Sequence, residues 1–322
     1  MVPARSPSPR RAPQMALLAD GRRLHLQDGP IDLVIEAIGR EETVRAAYGA
    51  AVERFTGLLD ELCEELVGLR APVRAEACRL HDPVARRMWG AVRPFAADHF
   101  ITPMAAVAGA VAEEVLSAMV RPGLRRAYVN NGGDIALHLE AGESFRVGLV
   151  DRPDTPSLIG TARVDGTGPV RGIATSGWRG RSFSLGIADA VTILARTAAL
   201  ADAAATIIAN AVDLPGHGGI VRVPAQALQP DSDLGPRLVT RDVPRLTPAA
   251  REAALDRGLS RAHHLMRTGL ICGAALHLQG ETVQAGLDVL EAPLPFAAAH
   301  AAAITEAPSH RAPYNQQGWT HA

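Results

Sequence analysis

Ala136-Leu137-His138-Leu139 returns near the other end of the chain as Ala275-Leu276-His277-Leu278. Gly142-Glu143 and Gly148-Leu149 find counterparts in Gly280-Glu281 and Gly286-Leu287, with one residue of slippage. Ahead of each stretch stands a Thr-Pro pair, Thr102-Pro103 and Thr247-Pro248. Thr is a good helix N-cap and Pro suits the first helical position, so each pair predicts a helix start. Pro122-Gly123 and Gly269 supply the stops. The pattern predicts a duplicated unit, a capped helix followed by an antiparallel hairpin, and therefore an α+β chain with antiparallel sheets and packed helices. The competing explanation is chance similarity in an Ala- and Leu-rich chain, but the shared order of cap, helix and hairpin favours duplication.

Outward from these units, Ile31 to Ala37 reads as an early strand. Val44, Ala47, Tyr48, Ala51, Phe55, Leu58, Leu59, Leu62 and Leu66 then fall on one face of a single long helix. Arg70 to His99 holds several prolines and gives no clear element. The helix Met104-Ala105-Ala106-Val107-Ala108-Gly109-Ala110 is small and apolar, which predicts close packing against other backbone. Strands are expected at Ala127 to Val129, Ile135 to Leu139, Phe145 to Val150 and Ala190 to Ala195, and a helix from Ala198 to Val212. Residues 1–15 read as a disordered leader, 16–305 as one domain of two related halves, and 306–322 as a disordered tail. Ordered patterning starts soon after Met15, which makes Met15 a candidate initiation site.

Composition narrows the chemistry. The chain has 322 residues, 47% of them hydrophobic, with a net charge of -1. A nucleic-acid or anionic-membrane binder should be basic, so neither partner is expected. All 33 residues in the Lys+Arg total are arginine. A chain without lysine cannot form a side-chain Schiff base, hold pyridoxal phosphate through Lys or build a Walker-type phosphate loop. Cys63, Cys78 and Cys272 are odd in number and not at metal spacing, which fits a reducing cytoplasm. No apolar run approaches a membrane span, and the N-terminus lacks the apolar stretch of a signal peptide.

Three stretches can carry chemistry. In Asn130-Asn131-Gly132-Gly133-Asp134, paired glycines let backbone N–H groups approach a ligand while Asn and Asp add hydrogen bonds. An ordinary Asn/Gly/Asp turn explains the same residues. Thr175-Ser176-Gly177, followed by Arg179 and Arg181, can wrap a phosphate or carboxylate, or can simply lead into a strand. Asp202 and Thr206, at i and i+4 in an apolar helix, project oxygens from one face that Asn210 continues. Carboxylate plus hydroxyl suits magnesium. The i, i+4 spacing by itself favours the other reading, in which Asp202 caps a neighbouring loop through hydrogen bonds with no metal. His138 and His277 occupy matching repeat positions, which favours a structural role.

Together these stretches resemble the ApbE superfamily of flavin transferases. The matching pieces are Asn130-x-Gly132-Gly133-Asp134, Ala174-Thr175-Ser176-Gly177 and Ala201-Asp202-x-x-Ala205-Thr206. With Pro103 to Ala110 added, the chain is most similar to a sister branch of that superfamily, over most of Asp32 to Leu287. The resemblance implies a duplicated T-fold-like architecture. It implies that Asn130, Asn131, Gly132, Gly133, Asp134, Thr175, Ser176 and Gly177 help to bind FAD, with Arg179 and Arg181 beside them. It implies that Asp202 and Thr206 hold magnesium at the pyrophosphate, and that FMN passes to a Ser or Thr hydroxyl of a protein acceptor. Two departures stand out. The His-x-Ile-x-Asp-Pro-x-Thr-Gly segment of the transferases is absent, since Ser182 to Asp189 contains no His, and the helix before the Gly-Gly loop has no Lys. The alternative is an accessory or binding protein that keeps the fold and takes a small anion or nucleotide without flavin transfer.

Overall fold

A computed structural model describes residues 12–74, 77–152, 154 and 157–287. The first eleven residues of the expected leader and everything after residue 287, including the expected tail, lie outside it.

The strands are β1 (Gln14–Leu17), β2 (Leu24–Asp28), β3 (Ile31–Gly39), β4 (Leu124–Asn131), β5 (Asp134–Leu139), β6 (Ser144–Val150), β7 (Leu158–Asp165), β8 (Gly172–Ser176), β9 (Ala190–Ala195), β10 (Val221–Pro224), β11 (Leu238–Asp242), β12 (Gly273–Leu278) and β13 (Glu281–Ala285). Nine of them form one antiparallel sheet in the order β1-β2-β3-β4-β5-β8-β9-β12-β13, while β6-β7 and β10-β11 form separate two-stranded ribbons. The helices are α1 (Glu41–Phe55), α2 (Leu58–Glu64), α3 (Leu66–Leu69), α4 (Pro83–Val92), α5 (Val107–Met119), α6 (Ala198–Ala211), α7 (Ala225–Leu228) and α8 (Pro248–Arg267). Among the described residues no helix is long and apolar enough to cross a membrane.

Strand alternation sorts side chains onto two faces. Val129, Ala136, Ala174, Val191, Ile193 and Leu276 enter the large core under the helices. Tyr128, Ile135, Leu137, Ile173 and Leu194 point to the other face, where the β6-β7 ribbon covers them with Phe145, Val147, Ala162 and Val164. The duplicated architecture is visible in the sheet order. One half runs β2-β3, helices, β4-β5; the other runs β8-β9, helices, β12-β13.

Several expectations change in detail. The matched tetrapeptides lie one strand out of register. Ala136 to Leu139 lies in β5, the second strand of its hairpin, whereas Ala275 to Leu278 lies in β12, the first. The stretch from Ala136 to Val150 is not a hairpin, because β5 pairs with β4 and β8 while β6 pairs with β7. His138 and His277 are therefore not equivalent. His138 Nε2 meets the Leu124 carbonyl, and His277 Nδ1 meets Thr282 Oγ1. The single long helix after β3 is three helices. Gly57, at φ +85°, breaks it in a left-handed conformation that glycine adopts without steric penalty. The unreadable stretch before residue 99 holds α4, capped by Asp82, whose carboxylate accepts from the Ala85 N–H at 2.9 Å. Thr247 caps α8 as expected. Thr102 does not cap α5; its hydroxyl bonds to Asp233, and a 3₁₀ turn at Pro103–Ala106 precedes the helix.

Helices α5 and α6 cap each other. The N-cap position of α5 is Ala106, which has no capping side chain. Asp202 of α6 takes over, accepting from the Gly109 N–H at 3.0 Å, with the Ala108 N–H also bonded to it. In return Glu113 of α5 accepts from the Ala199 N–H in the first turn of α6 at 2.9 Å. Negative charge at both helix N-termini is favourable. The helices touch at Gly109, where a Cβ would collide with the Ala198 carbonyl. On the outer side Arg87 bonds both Glu113 and Glu114, and Arg54 joins Glu114 to Glu61, tying α1, α2, α4 and α5 together.

Candidate active site

The three sequence stretches converge at the meeting point of the two halves. The β4-β5 turn needs its glycines, Gly132 at φ +65° and Gly133 at φ +113°. Asn130 Oδ1 accepts from the Gly133 N–H at 2.8 Å and closes the turn. The Asn131 side chain reaches away from the turn and donates to the Ala108 carbonyl at 3.2 Å, joining the turn to the start of α5. Asp134, the first residue of β5, accepts from the Thr175 N–H at 3.3 Å and so joins the first half to β8 of the second. Thr175 Oγ1 pairs with Thr192 Oγ1 at 2.9 Å, while the hydroxyl of Ser176 has no partner among the described residues. The Arg181 guanidinium lies over Gly132, where any Cβ would collide with it.

Asp202 faces Asp134 across this cleft. Both carboxyls are deeply surrounded by protein yet keep some exposed surface. Burial pushes Asp134 up to about 7, against which the Thr175 N–H and the Arg181 charge act. Burial and the Asp134 charge push Asp202 well above the usual carboxylate range, despite its two backbone N–H bonds. Two carboxylates held together with too little positive charge favour either a shared proton or a cation. Thr206, one helical turn from Asp202, adds a hydroxyl with no hydrogen-bond partner among the described residues. The donor set is all oxygen and suits a hard cation such as magnesium. Among the described residues no three His, Cys, Asp or Glu side chains gather as metal ligands. A cation here would complete its shell with ligand oxygens and water. The Asp202 carboxylate meanwhile caps the start of α5 through the Gly109 and Ala108 N–H groups.

Some expected residues do not join the cleft. Arg179 is committed to buried Asp189 through Nε at 2.8 Å and stacks on Trp178 at 4.3 Å from the ring centroid. Asn210 is turned to the preceding loop, accepting from the Leu185 N–H at 2.9 Å. Gly177 serves packing, since a Cβ there would strike the Asp189 backbone. Sequence reasoning missed Asp189, which also accepts from Trp178 Nε1 at 3.1 Å and the Gln279 N–H at 2.6 Å. An Asp inside the apolar Gly186-Ile187-Ala188 run was the available signal. It also missed the Ala108 and Gly109 amides, for which the small residues at the α5 start were the only clue.

Fold and cleft define a class: a duplicated antiparallel α+β protein with a pair of facing carboxylates where the halves meet. A family model described as AbpE bacteria matches residues 15–284, and the chain belongs to that family. A UPF0280 protein of Methanothrix thermoacetophila is 40% identical over 131 residues, covering 40% of this chain and 52% of that protein. A UPF0280 protein of Methanopyrus kandleri is 38% identical over 180 residues, covering 56% and 69% respectively. The chain thus spans about half the length of the first of these relatives. Among solved structures it is similar to the apo flavinyl transferase ApbE of Pseudomonas stutzeri, with 12% identity and a TM-score of 0.44 over 85% of this chain and 94% of that one.

Proposed function

We propose that the protein is a magnesium-dependent enzyme of the FMN transferase type, binding FAD or a related nucleotide in the cleft between its halves. The observation that carries this reading is the facing pair Asp134 and Asp202, both pushed toward the protonated form, with the unpartnered Thr206 hydroxyl beside them. Such a pair is costly when ionised unless a proton or a cation neutralises it, and a cation lets both carboxylates keep their charge. Asp202 and Thr206 would hold magnesium, and Asp134 faces it. A bound magnesium would neutralise pyrophosphate charge and so favour phosphoester exchange.

The other residues have separable tasks. The Ala108 and Gly109 amides fix the Asp202 carboxylate in place. Arg181, the one arginine of its loop over the Gly-Gly turn, would meet phosphate charge with its planar fork, where the related enzymes use a lysine elsewhere. The Ser176 hydroxyl is available to a ligand. A Ser or Thr hydroxyl of a protein acceptor would be the group that receives FMN.

Titration of FAD into the protein with magnesium tests the reading. Saturating FAD at about 100 times its Kd should add about 2.7 kcal/mol of stability, lost when magnesium is chelated. Absence of any FAD-dependent shift would refute it. A second reading, nucleotide binding without transfer, is favoured by one observation: residues 182–189 lack a His and end in Asp189, which is engaged with Arg179. No side chain there takes the proton of an acceptor hydroxyl. That reading predicts the same FAD binding with no flavin appearing on an acceptor protein.

A further inference from the structure

The carbonyl of Ala108 and the N–H of Gly109 belong to one peptide group, and that group is held from both sides. Asn131 Nδ2 donates to the Ala108 oxygen at 3.2 Å, and the Gly109 N–H donates to Asp202 Oδ2 at 3.0 Å. In a trans peptide the C=O and N–H point opposite ways. A donor on the oxygen therefore strengthens the N–H as a donor, and each bond of the chain polarises the next.

Asn131 is buried, with 4% of its surface exposed. It and Asp134 are cross-strand partners, the last pair of the β4-β5 hairpin before the Gly132-Gly133 turn. Alternation puts both side chains on the helix face, where Val129 and Ala136 enter the core. Asn131 thus stands beside one carboxylate and, through the Ala108-Gly109 peptide, holds the other. The start of α5 depends on such outside support, because Ala106 supplies no side-chain cap and a 3₁₀ turn precedes it. The Ala108 oxygen has two lone pairs, one of which the i+4 ladder of α5 uses. Asn131 takes the other, so its removal orphans no buried acceptor and costs little stability.

We propose that Asn131 is a positioning residue: it touches neither cation nor ligand, and sets the gap between Asp134 and Asp202 by aiming the peptide that holds Asp202. The inference rests on the cation reading of that pair. Partners one step removed from a metal ligand orient it, and losing one costs ~10–100-fold in metal affinity. Asn131 stands one bond further out, so its loss has a smaller effect.

The test compares the full wild-type chain with Asn131→Ala and the shape-matched Asn131→Leu. Thr247→Ala, which removes the cap of α8, is the control. Both Asn131 variants should fold. In metal-free protein, amide hydrogen exchange of Gly109 should quicken about tenfold in both and keep the wild-type rate in Thr247→Ala. Manganese(II) affinity, read by electron paramagnetic resonance, should fall about threefold or more in both and hold in Thr247→Ala. Unchanged exchange at Gly109 in either Asn131 variant, equal quickening in Thr247→Ala, or unchanged manganese affinity where the wild type binds would each overturn the proposal. Unfolding of both variants would overturn it too, since Asn131 would then be a purely structural residue. A wild type that holds no manganese defeats the cation reading instead, and Gly109 exchange then decides whether Asn131 aims the peptide.

Discussion

Replacing Asp134 by Asn should stabilise the metal-free protein, and the gain should grow with pH. Asp134 ionises at about 7 in the folded chain against an ordinary 3.8. Between those values the folded protein holds a proton that the unfolded chain has lost. Stability of the wild type therefore falls as pH rises through this window and levels off above it. A tenfold change in proton affinity corresponds to about 1.4 kcal/mol, so the cost is a few kcal/mol at about pH 8 and smaller at about pH 5. Residual exposure of the carboxyl screens part of this, leaving a difference of roughly 1–3 kcal/mol between the two conditions. Asn keeps an oxygen for the Thr175 N–H and the same backbone, so the change removes the Asp134 charge together with its effect on Asp202. Urea unfolding of both proteins in chelator, analysed by linear extrapolation, reads the effect. Added magnesium at the higher pH should narrow the gap by stabilising the wild type. An Asn variant equally or less stable than wild type at the higher pH, or a gain that does not change with pH, would refute the reasoning.

Other substitutions probe the frame around the cleft. Gly109→Ala should destabilise by roughly 1–3 kcal/mol in urea unfolding, because the new Cβ meets the Ala198 carbonyl; a stabilised variant would mean that α5 and α6 do not touch there. Asp189→Ala removes the acceptor of Trp178, Arg179 and Gln279. It should cost roughly 2–4 kcal/mol and red-shift tryptophan emission. Thr247→Ala should cost about 1 kcal/mol as a lost N-cap. Thr102→Ala should perturb the Asp233 contact and leave the start of α5 intact, which amide hydrogen exchange of Ala108 and Gly109 would report.

Much of the cleft was legible because its residues come in short local patterns. The Gly132-Gly133 turn, the hydroxyls of Thr175 and Ser176 and the i, i+4 spacing of Asp202 and Thr206 each follow from backbone geometry within a few residues. Their convergence followed from the family resemblance and not from spacing, since it depends on β5 pairing with β8 and on α5 crossing α6. Local identity misled the repeat: Ala136 to Leu139 and Ala275 to Leu278 share sequence, but strand partners decide which strand of a hairpin each forms. Apolar spacing continues across Gly57, so it hides the break in the helix after β3. Arg179 and Arg181 are two residues apart and look alike in sequence. Only the position of buried Asp189 separates the one held in packing from the one over the Gly-Gly turn.

The proposed cation site lies where the two halves meet, at Asp202 and Thr206 facing Asp134. Titration of manganese(II) into the chelator-treated protein, followed by electron paramagnetic resonance, tests it most directly. The account predicts one tightly held manganese per wild-type chain, displaced by magnesium, and its loss in Asp202→Asn although that variant keeps an oxygen to accept the Gly109 N–H. Manganese that stays free in the wild type, or binds equally in Asp202→Asn, would contradict it.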